Sequence, residues 1–363
     1  MFDFRVYYDA ALALLNGEQV YGQAFGLSSG FYKYSPPACL VFIPLALLPY
    51  TTASVIYYFI ITIGIIFFSL RISNYLVKEK NGVYSSALPI LTGIFLIDHL
   101  ERELHLGNIN LFLLIALFEC YVLIKSKRDW LGGSLLGLAL LFKPHFLLLL
   151  PYLIWKKRGK ALLGAFGAIN LGLLAPSLIW GWERNMALVK QWLKAMSEHN
   201  VSLQKSPNTI YGLINHSFLN GQAGSWLVAA VLIATCCIVA FLVIRNDKQN
   251  GTIWSDQVRF SEYFLLVALV PNLVHTDTEH FMWVWPMLAL AIDYTLHSKG
   301  VKRNFAVVCL ILAFIPFALN SPDLVGIKIQ KVFDEGGLGI ANLIILTIAL
   351  LASSRNAQGH HLN

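Results

Sequence analysis

The sequence predicts an all-α integral membrane protein, and three observations carry the prediction. Hydrophobic residues make up 57% of the chain and charged residues only 13%, about half the charged share of a soluble domain. Mean hydropathy is +0.62. Apolar runs recur from end to end, separated by short loops that hold most of the lysines and arginines. A full helical crossing takes about 20 apolar residues, which gives this chain room for about 10 membrane segments, some short or broken, in a multi-pass helical bundle. The whole chain, 1–363, reads as one transmembrane domain, with 1–35 a first external loop, 36–355 the multi-pass core and 356–363 a cytoplasmic tail.

A formal charge of +7 in a soluble protein would point to nucleic acid. Here the cations sit between apolar runs, at Arg71, Lys78 and Lys80, at Lys125, Lys127 and Arg128, at Lys156, Lys157, Arg158 and Lys160, at Arg245 and Lys248, and at Lys299, Lys302 and Arg303. The positive-inside rule places those loops in the cytoplasm. No nucleic-acid partner is expected, and the surroundings are the lipids of the inner (plasma) membrane. The connections at 98–108, 181–221, 275–280 and 321–337 then face outside. Cys39, Cys120, Cys236, Cys237 and Cys309 lie in or beside apolar runs without metal or disulfide spacing, so they read as packing residues.

Taken in order, 1–34 is polar and aromatic, lacks the basic and apolar regions of a cleavable signal, and reads as external loop. Residues 36–76 carry Pro49-Tyr50-Thr51 at their centre and read as a partial segment followed by one crossing. Between the basic loops near 128 and 156, Lys143-Pro144-His145 interrupts the apolar run. Proline removes a backbone donor and restricts the residue before it, so two short helices should meet there. In 181–221, Met186, Val189, Trp192, Leu193 and Met196 have the spacing of an amphipathic helix at the membrane interface. Further segments fall near 161–180, 226–244, 260–274, 281–297, 304–319 and 338–353.

Charges that persist beside membrane segments default to a functional reading. They gather on the external face at Asp3, Arg5 and Asp9; at Glu101, Arg102, Glu103 and His105; at Lys143 and His145; and at His275, Asp277, Glu279 and His280. Glu101 and Glu103 read as a solvated loop face. The cluster at 275–280 holds ligand-type side chains but reads as a solvated turn, and no metal or other cofactor is expected.

The opening Asp3-Phe4-Arg5-Val6-Tyr7-Tyr8, with Tyr34-Ser35-Pro36-Pro37 and Pro44-Leu45, resembles the start of glycosyltransferase family 87. Gly107-Asn108-Ile109-Asn110 is similar to the family's Gly-Gln-x-Asn turn, with Asn108 in place of Gln. The glycine-rich stretch from Gly132 to Gly137, leading into Phe142-Lys143-Pro144, and the late Thr278-Glu279-His280-Phe281 also match in order. The resemblance implies a GT-C type membrane fold and transfer, with inversion, of a sugar from a polyprenyl-phosphate sugar donor, commonly mannose, to a lipid-linked or glycan acceptor. On that basis Asp3 is the expected general base, taking the proton of the acceptor hydroxyl, and His280 a second catalytic residue. Arg5, Lys143 and His145 are the expected donor phosphate ligands, cationic donors for the charge on the leaving group. Tyr7, Tyr34, Asn108 and Asn110 are the expected substrate contacts. The resemblance also implies a membrane helix ahead of the aspartate, and only two residues precede Asp3 here. A transporter or flippase of lipid-linked sugars, or an envelope oligosaccharide polymerase or ligase, is the alternative, since transporters too place charges at broken helices.

Overall fold

The computed structural model describes residues 1–25, 30–77, 87–199, 206–219, 224–250, 256–274 and 277–359. Lys78, Lys80 and His275 lie outside the described residues. The elements run in the order α1 (Phe2–Asn16), α2 (Pro36–Leu40), α3 (Ile43–Ala46), α4 (Tyr50–Val77), α5 (Ala87–Phe95), α6 (Ile97–Leu106), α7 (Asn110–Lys125), α8 (Asp129–Phe142), a 3-10 turn (Pro144–Leu148), α9 (Leu149–Trp155), α10 (Gly159–Leu174), α11 (Ser177–Trp180) and α12 (Trp182–His199). They continue through α13 (Ile210–Phe218), α14 (Ser225–Asn250), α15 (Asp256–Ala268), α16 (Val270–Leu273), a second 3-10 turn (Thr278–Val284), α17 (Trp285–His297), α18 (Gly300–Ala318), α19 (Pro322–Val325), α20 (Ile327–Val332) and α21 (Leu338–Gly359). Among the described residues five helices are long and apolar enough to cross a membrane: Tyr50–Leu76, Gly159–Trp180, Trp226–Arg245, Gly300–Ala318 and Ile327–Ser353. The pair α6 and α7, bent by 115°, makes a sixth if it counts as one span.

The chain divides into two compact units, Met1–Ile66 with Glu101–Val201, and Phe67–Leu100 with Ser202–Asn363. In the first unit, residues 2–16 correct the reading of 1–35 as loop, because they form α1. The segment is too short and too polar to register as a membrane run. Its Phe4, Tyr7, Tyr8, Ala11 and Leu14 nevertheless recur at helical spacing, and all five are buried. Gly17, at φ 82°, ends the helix in the left-handed conformation, with Glu18 N–H donating to the Ala13 carbonyl at 2.8 Å. After two short helices comes α4, which is the partial segment plus one long helix read for 36–76.

Lys143 closes α8 in extended conformation, φ −132° and ψ 101°, as a residue before proline must. The break withdraws a helical donor from the Leu141 carbonyl, and Ser35 N–H supplies one at 3.2 Å. The glycines of α8 face their neighbours. A Cβ on Gly132 would lie 2.8 Å from the Cys120 carbonyl of α7, and one on Gly133 or Gly137 would enter the carbonyls of Ala161 or Ala165 on α10. Small residues let helix backbones meet at such distances. Gly137→Leu should therefore force α8 and α10 apart, at a cost of about 1–3 kcal/mol or more. The expected readout is a lower thermal midpoint and lower folded yield in detergent; an unchanged midpoint would contradict this packing.

The second unit gathers α15, α17, α18 and α21 around buried Phe260, Phe264, Trp283, Trp285 and Phe317. Amides cross-link part of its polar core. Asn342 Nδ2 donates to the Ala268 carbonyl at 2.7 Å and to Asn272 Oδ1 at 2.6 Å, and Asn272 Nδ2 reaches the Gly339 carbonyl at 3.0 Å.

Candidate functional site

The first unit brings most of the expected site residues together at helix ends. Asp3 stands in the first turn of α1, where the helix dipole favours a negative charge. Four residues on, and so on the same face, is Tyr7. Asn108 ties both down: its Nδ2 donates to Asp3 Oδ2 at 2.6 Å, and its Oδ1 accepts from the Tyr7 hydroxyl at 3.3 Å and from Ile109 N–H at 2.7 Å. The Tyr7 and Tyr34 hydroxyls lie 3.0 Å apart. Burial, then Tyr34, then the Asp3 charge hold the Tyr7 phenol well above its ordinary pKa, so it stays protonated and donates.

Asn108 is placed by the sharp connection between α6 and α7. Gly107 adopts φ 69°, a conformation that favours glycine, and a Cβ there would meet Phe4 Cβ at 2.7 Å. The family-like turn thus serves two ends at once, reversing the chain and admitting α1. Tyr57 of α4 donates to the Asn108 carbonyl at 3.1 Å and stacks on Phe4, ring centres 4.5 Å apart.

Asn110 opens α7 and links Lys143 to a residue read differently from sequence. Lys143 Nζ donates to Asn110 Oδ1 at 2.6 Å, and Asn110 Nδ2 donates to Glu103 Oε2 at 3.1 Å. Glu103 Oε1 accepts from Leu111 N–H at 2.9 Å. Glu103 is fully buried, and Asn110 and Lys143 are buried with it. This corrects two expectations: 97–106 is a helix, and Glu103 is part of a buried hydrogen-bonded array, where its partners offset only part of the cost of removing a carboxylate from water. Only the helical spacing of Ile97, Leu100, Leu104 and the polar residues between them hinted at a helix.

Arg5 and His145 stand apart from this array. Two residues along a helix turn the side chain by about 200°, and Arg5 accordingly faces away from Asp3. It donates to Asp9 Oδ2 at 2.7 Å and lies 4.4 Å from the centre of the Tyr50 ring. His145 is half-buried in the 3-10 turn that follows Lys143.

In the second unit the late loop forms a 3-10 turn whose Glu279 and His280 are buried, which corrects the solvated reading. His280 packs edge-on against Trp283, ring centres 4.9 Å apart, and its Nδ1 donates to the Asp277 carbonyl at 3.1 Å. Asp277, Glu279 and His280 can bring one ligand atom each within 4.8 Å of one another. His99, which no motif in the sequence marks, is fully buried, and its Nδ1 donates to the Thr278 carbonyl at 3.0 Å and so orients this turn.

These features define an all-α membrane protein whose buried polar side chains collect where helices start, bend and break. The chain belongs to glycosyltransferase family 87: the family model matches residues 31–270, a stretch that holds Tyr34, Asn108, Asn110, Lys143 and His145. Among curated relatives, an alpha-(1->3)-arabinofuranosyltransferase of Corynebacterium glutamicum is 30% identical over 178 residues, 48% of this chain and 40% of that protein. The Mycobacterium tuberculosis protein of the same description is 30% identical over 171 residues, 45% of this chain and 38% of its own. A polyprenol-phosphate-mannose-dependent alpha-(1-2)-phosphatidylinositol pentamannoside mannosyltransferase of M. tuberculosis is 27% identical over 321 residues, 86% of this chain and 71% of that protein. The chain thus spans about 40% of the length of the arabinofuranosyltransferases it matches. No solved structure matches it.

Proposed function

We propose that this protein moves a sugar, with inversion, from a polyprenyl-phosphate sugar to a hydroxyl of a lipid-linked or glycan acceptor at the external face of the plasma membrane. The observation that carries the proposal is Asp3, a carboxylate aimed by Asn108 at the start of α1. An acceptor hydroxyl is a poor nucleophile, and a carboxylate within hydrogen-bond reach removes its proton as the bond to the sugar C1 forms. The neutral amide of Asn108 orients Asp3 without cancelling its charge.

The donor phosphate needs fixed cationic donors as the bond to C1 breaks. Lys143 is the proposed ligand, held by Asn110 at the α8 break, and His145, two residues on in sequence, is proposed as a second. Arg5, engaged by Asp9 and Tyr50 on the other side of α1, is assigned a peripheral part. Tyr7, Tyr34, Asn108 and Asn110 shape the site and contact substrate. His280 keeps its proposed catalytic part from the family resemblance alone. In this reading the membrane count rises toward about 10 through short and broken segments, of which α8 with α9 is one.

The proposed sugar is a hexose, mannose, as named for the relative matched over most of this chain. The arabinofuranosyl relatives make a pentose the second reading. The test is to incubate the purified protein in liposomes with polyprenyl-phosphate mannose, polyprenyl-phosphate arabinose and acceptor glycans. Glycoside formation is expected. Movement of the intact donor across the bilayer without new glycoside would instead identify a transporter.

A phosphate leaving group already bears its charge, so transfer should persist unchanged in excess chelator. Loss of activity on chelation, with rescue by a divalent cation, would reassign Asp277, Glu279 and His280 as its ligands.

A further inference from the structure

The far end of α1 carries a second feature. Beyond Gly17, the loop that follows α1 and the amphipathic helix α12 enclose an open cleft of about 590 Å³, lined by Glu18, Tyr21, Arg184, Gln191, Lys194 and Glu198 among others. That volume is in the range of small-molecule sites, about 300–1,000 Å³. The walls are tied in place. Arg184 Nη2 donates to the Leu14 carbonyl at 3.0 Å, the last turn of α1, and Trp192 Nε1 donates to the Lys33 carbonyl at 3.1 Å.

The lining identifies the ligand chemistry. The cations Arg184 and Lys194 are matched by the carboxylates Glu18 and Glu198, and Lys194 lies 3.8 Å from Glu198. A cleft without excess positive charge does not select a phosphate. Carboxylates, an amide, a guanidinium and an ammonium together offer both acceptors and donors, as a polyhydroxylated, uncharged ligand requires. Position completes the case. The Tyr21 hydroxyl donates to the Tyr34 carbonyl at 2.8 Å, and Tyr34 in turn meets Tyr7. The cleft is therefore joined to the candidate site, yet at 1.5 Å of rise per residue it lies about 20 Å along α1 from Asp3. A reacting hydroxyl at Asp3 is out of its reach; the remote sugars of the same acceptor are not.

We propose that this cleft is an acceptor subsite that binds the non-reacting, uncharged saccharide portion of an oligosaccharide acceptor. The assignment rests on the proposed transferase reading for the word acceptor, and on the cleft alone for the saccharide.

The test uses Gln191→Trp, which fills the cleft, and Glu18→Ala, which removes an acceptor; both side chains are exposed. Binding of mannotetraose and of the corresponding arabinose oligomer to the purified protein, without donor, is measured by titration calorimetry. Wild type should bind at least one of them; Glu18→Ala should weaken binding about tenfold, the value of a charge-assisted hydrogen bond, and Gln191→Trp should weaken it at least as much by occupying the space. Equal binding by wild type and both variants would overturn the proposal, as would binding of inorganic phosphate in place of either saccharide, or no saccharide binding by wild type. In transfer assays the acceptor KM should rise for a tetrasaccharide and not for a monosaccharide, a dependence on length that a general loss of structure would not produce. A penalty with lipid-linked tetrasaccharide alone assigns the cleft to a glycolipid acceptor, and equal penalties with lipid-linked and free tetrasaccharide assign it to the saccharide whatever carries it. If saccharide binds in the cleft but no donor supports transfer, the transferase reading falls and the saccharide site stands.

Discussion

Asp3→Asn should lower sugar transfer by about 100- to 10,000-fold, the contribution of a positioned general base, while the protein still folds. The substituted amide is the same size as the carboxylate, and its oxygen can still accept from Asn108 Nδ2, which now spans 2.6 Å to Asp3. What it cannot do is take a proton near neutral pH. The loss should therefore appear in kcat, with the donor KM nearly unchanged, since a step that fails only in the transition state leaves ground-state binding intact. Asn108→Ala should reproduce part of the defect. It keeps the carboxylate but removes the amide that aims it, along with an acceptor for Tyr7. Full activity in Asp3→Asn, measured as initial rates at saturating donor, would exclude Asp3 as the base.

Lys143→Met should raise the donor KM by about 10- to 150-fold, which is the effect of losing one hydrogen bond to a charged group, about 1.5–3 kcal/mol. The side chain is buried at the α8 break, and its ammonium is anchored on Asn110 at 2.6 Å. Anchoring reduces the rotamer entropy still to be lost when a phosphate arrives. The substitution also leaves Glu103 without the cation it meets through Asn110, so a lower thermal midpoint should accompany the change in KM. Glu103→Gln separates the two effects. The single amide oxygen can keep only one of the two hydrogen bonds that the separate Glu103 oxygens accept, from Leu111 N–H at 2.9 Å and Asn110 Nδ2 at 3.1 Å, so the thermal midpoint should fall here too, while the negative charge near Lys143 is gone. Donor affinity should then hold or improve, because less anionic charge competes for the ammonium. If Lys143→Met changes the midpoint but not the donor KM, the lysine is a structural residue alone.

The helical class and its interruptions could be read because hydropathy and proline act locally. Pro144 alone dictates the extended backbone at Lys143, and the long apolar runs announce α4, α14 and α18. Asn108 and Asn110 were legible through a short turn motif whose central need, a glycine at Gly107, is also local. The rest depends on what folds against what. Nothing in the spacing of Asp3, Tyr7 and Asn108 reveals that an amide more than a hundred residues away fixes the carboxylate. Glu103 sits in a segment so polar that it reads as solvated, and only its contacts with Asn110 and Leu111 N–H make it a buried group. Arg5 shows the reverse. Its charge next to Asp3 in sequence promised a phosphate ligand, but helical geometry turns it toward Asp9 and Tyr50.

The stereochemistry of the product tests the central claim most directly. If Asp3 acts as a base, the acceptor oxygen attacks C1 once, from the side opposite the phosphate, and the anomeric configuration inverts. If a carboxylate attacked C1 itself, a covalent glycosyl intermediate and two displacements would return the original configuration. The purified protein should be given a polyprenyl-phosphate sugar of known anomeric configuration, and the glycoside examined by nuclear magnetic resonance through its anomeric coupling constants. Product of inverted configuration is the predicted result. Product of retained configuration would contradict the role given to Asp3.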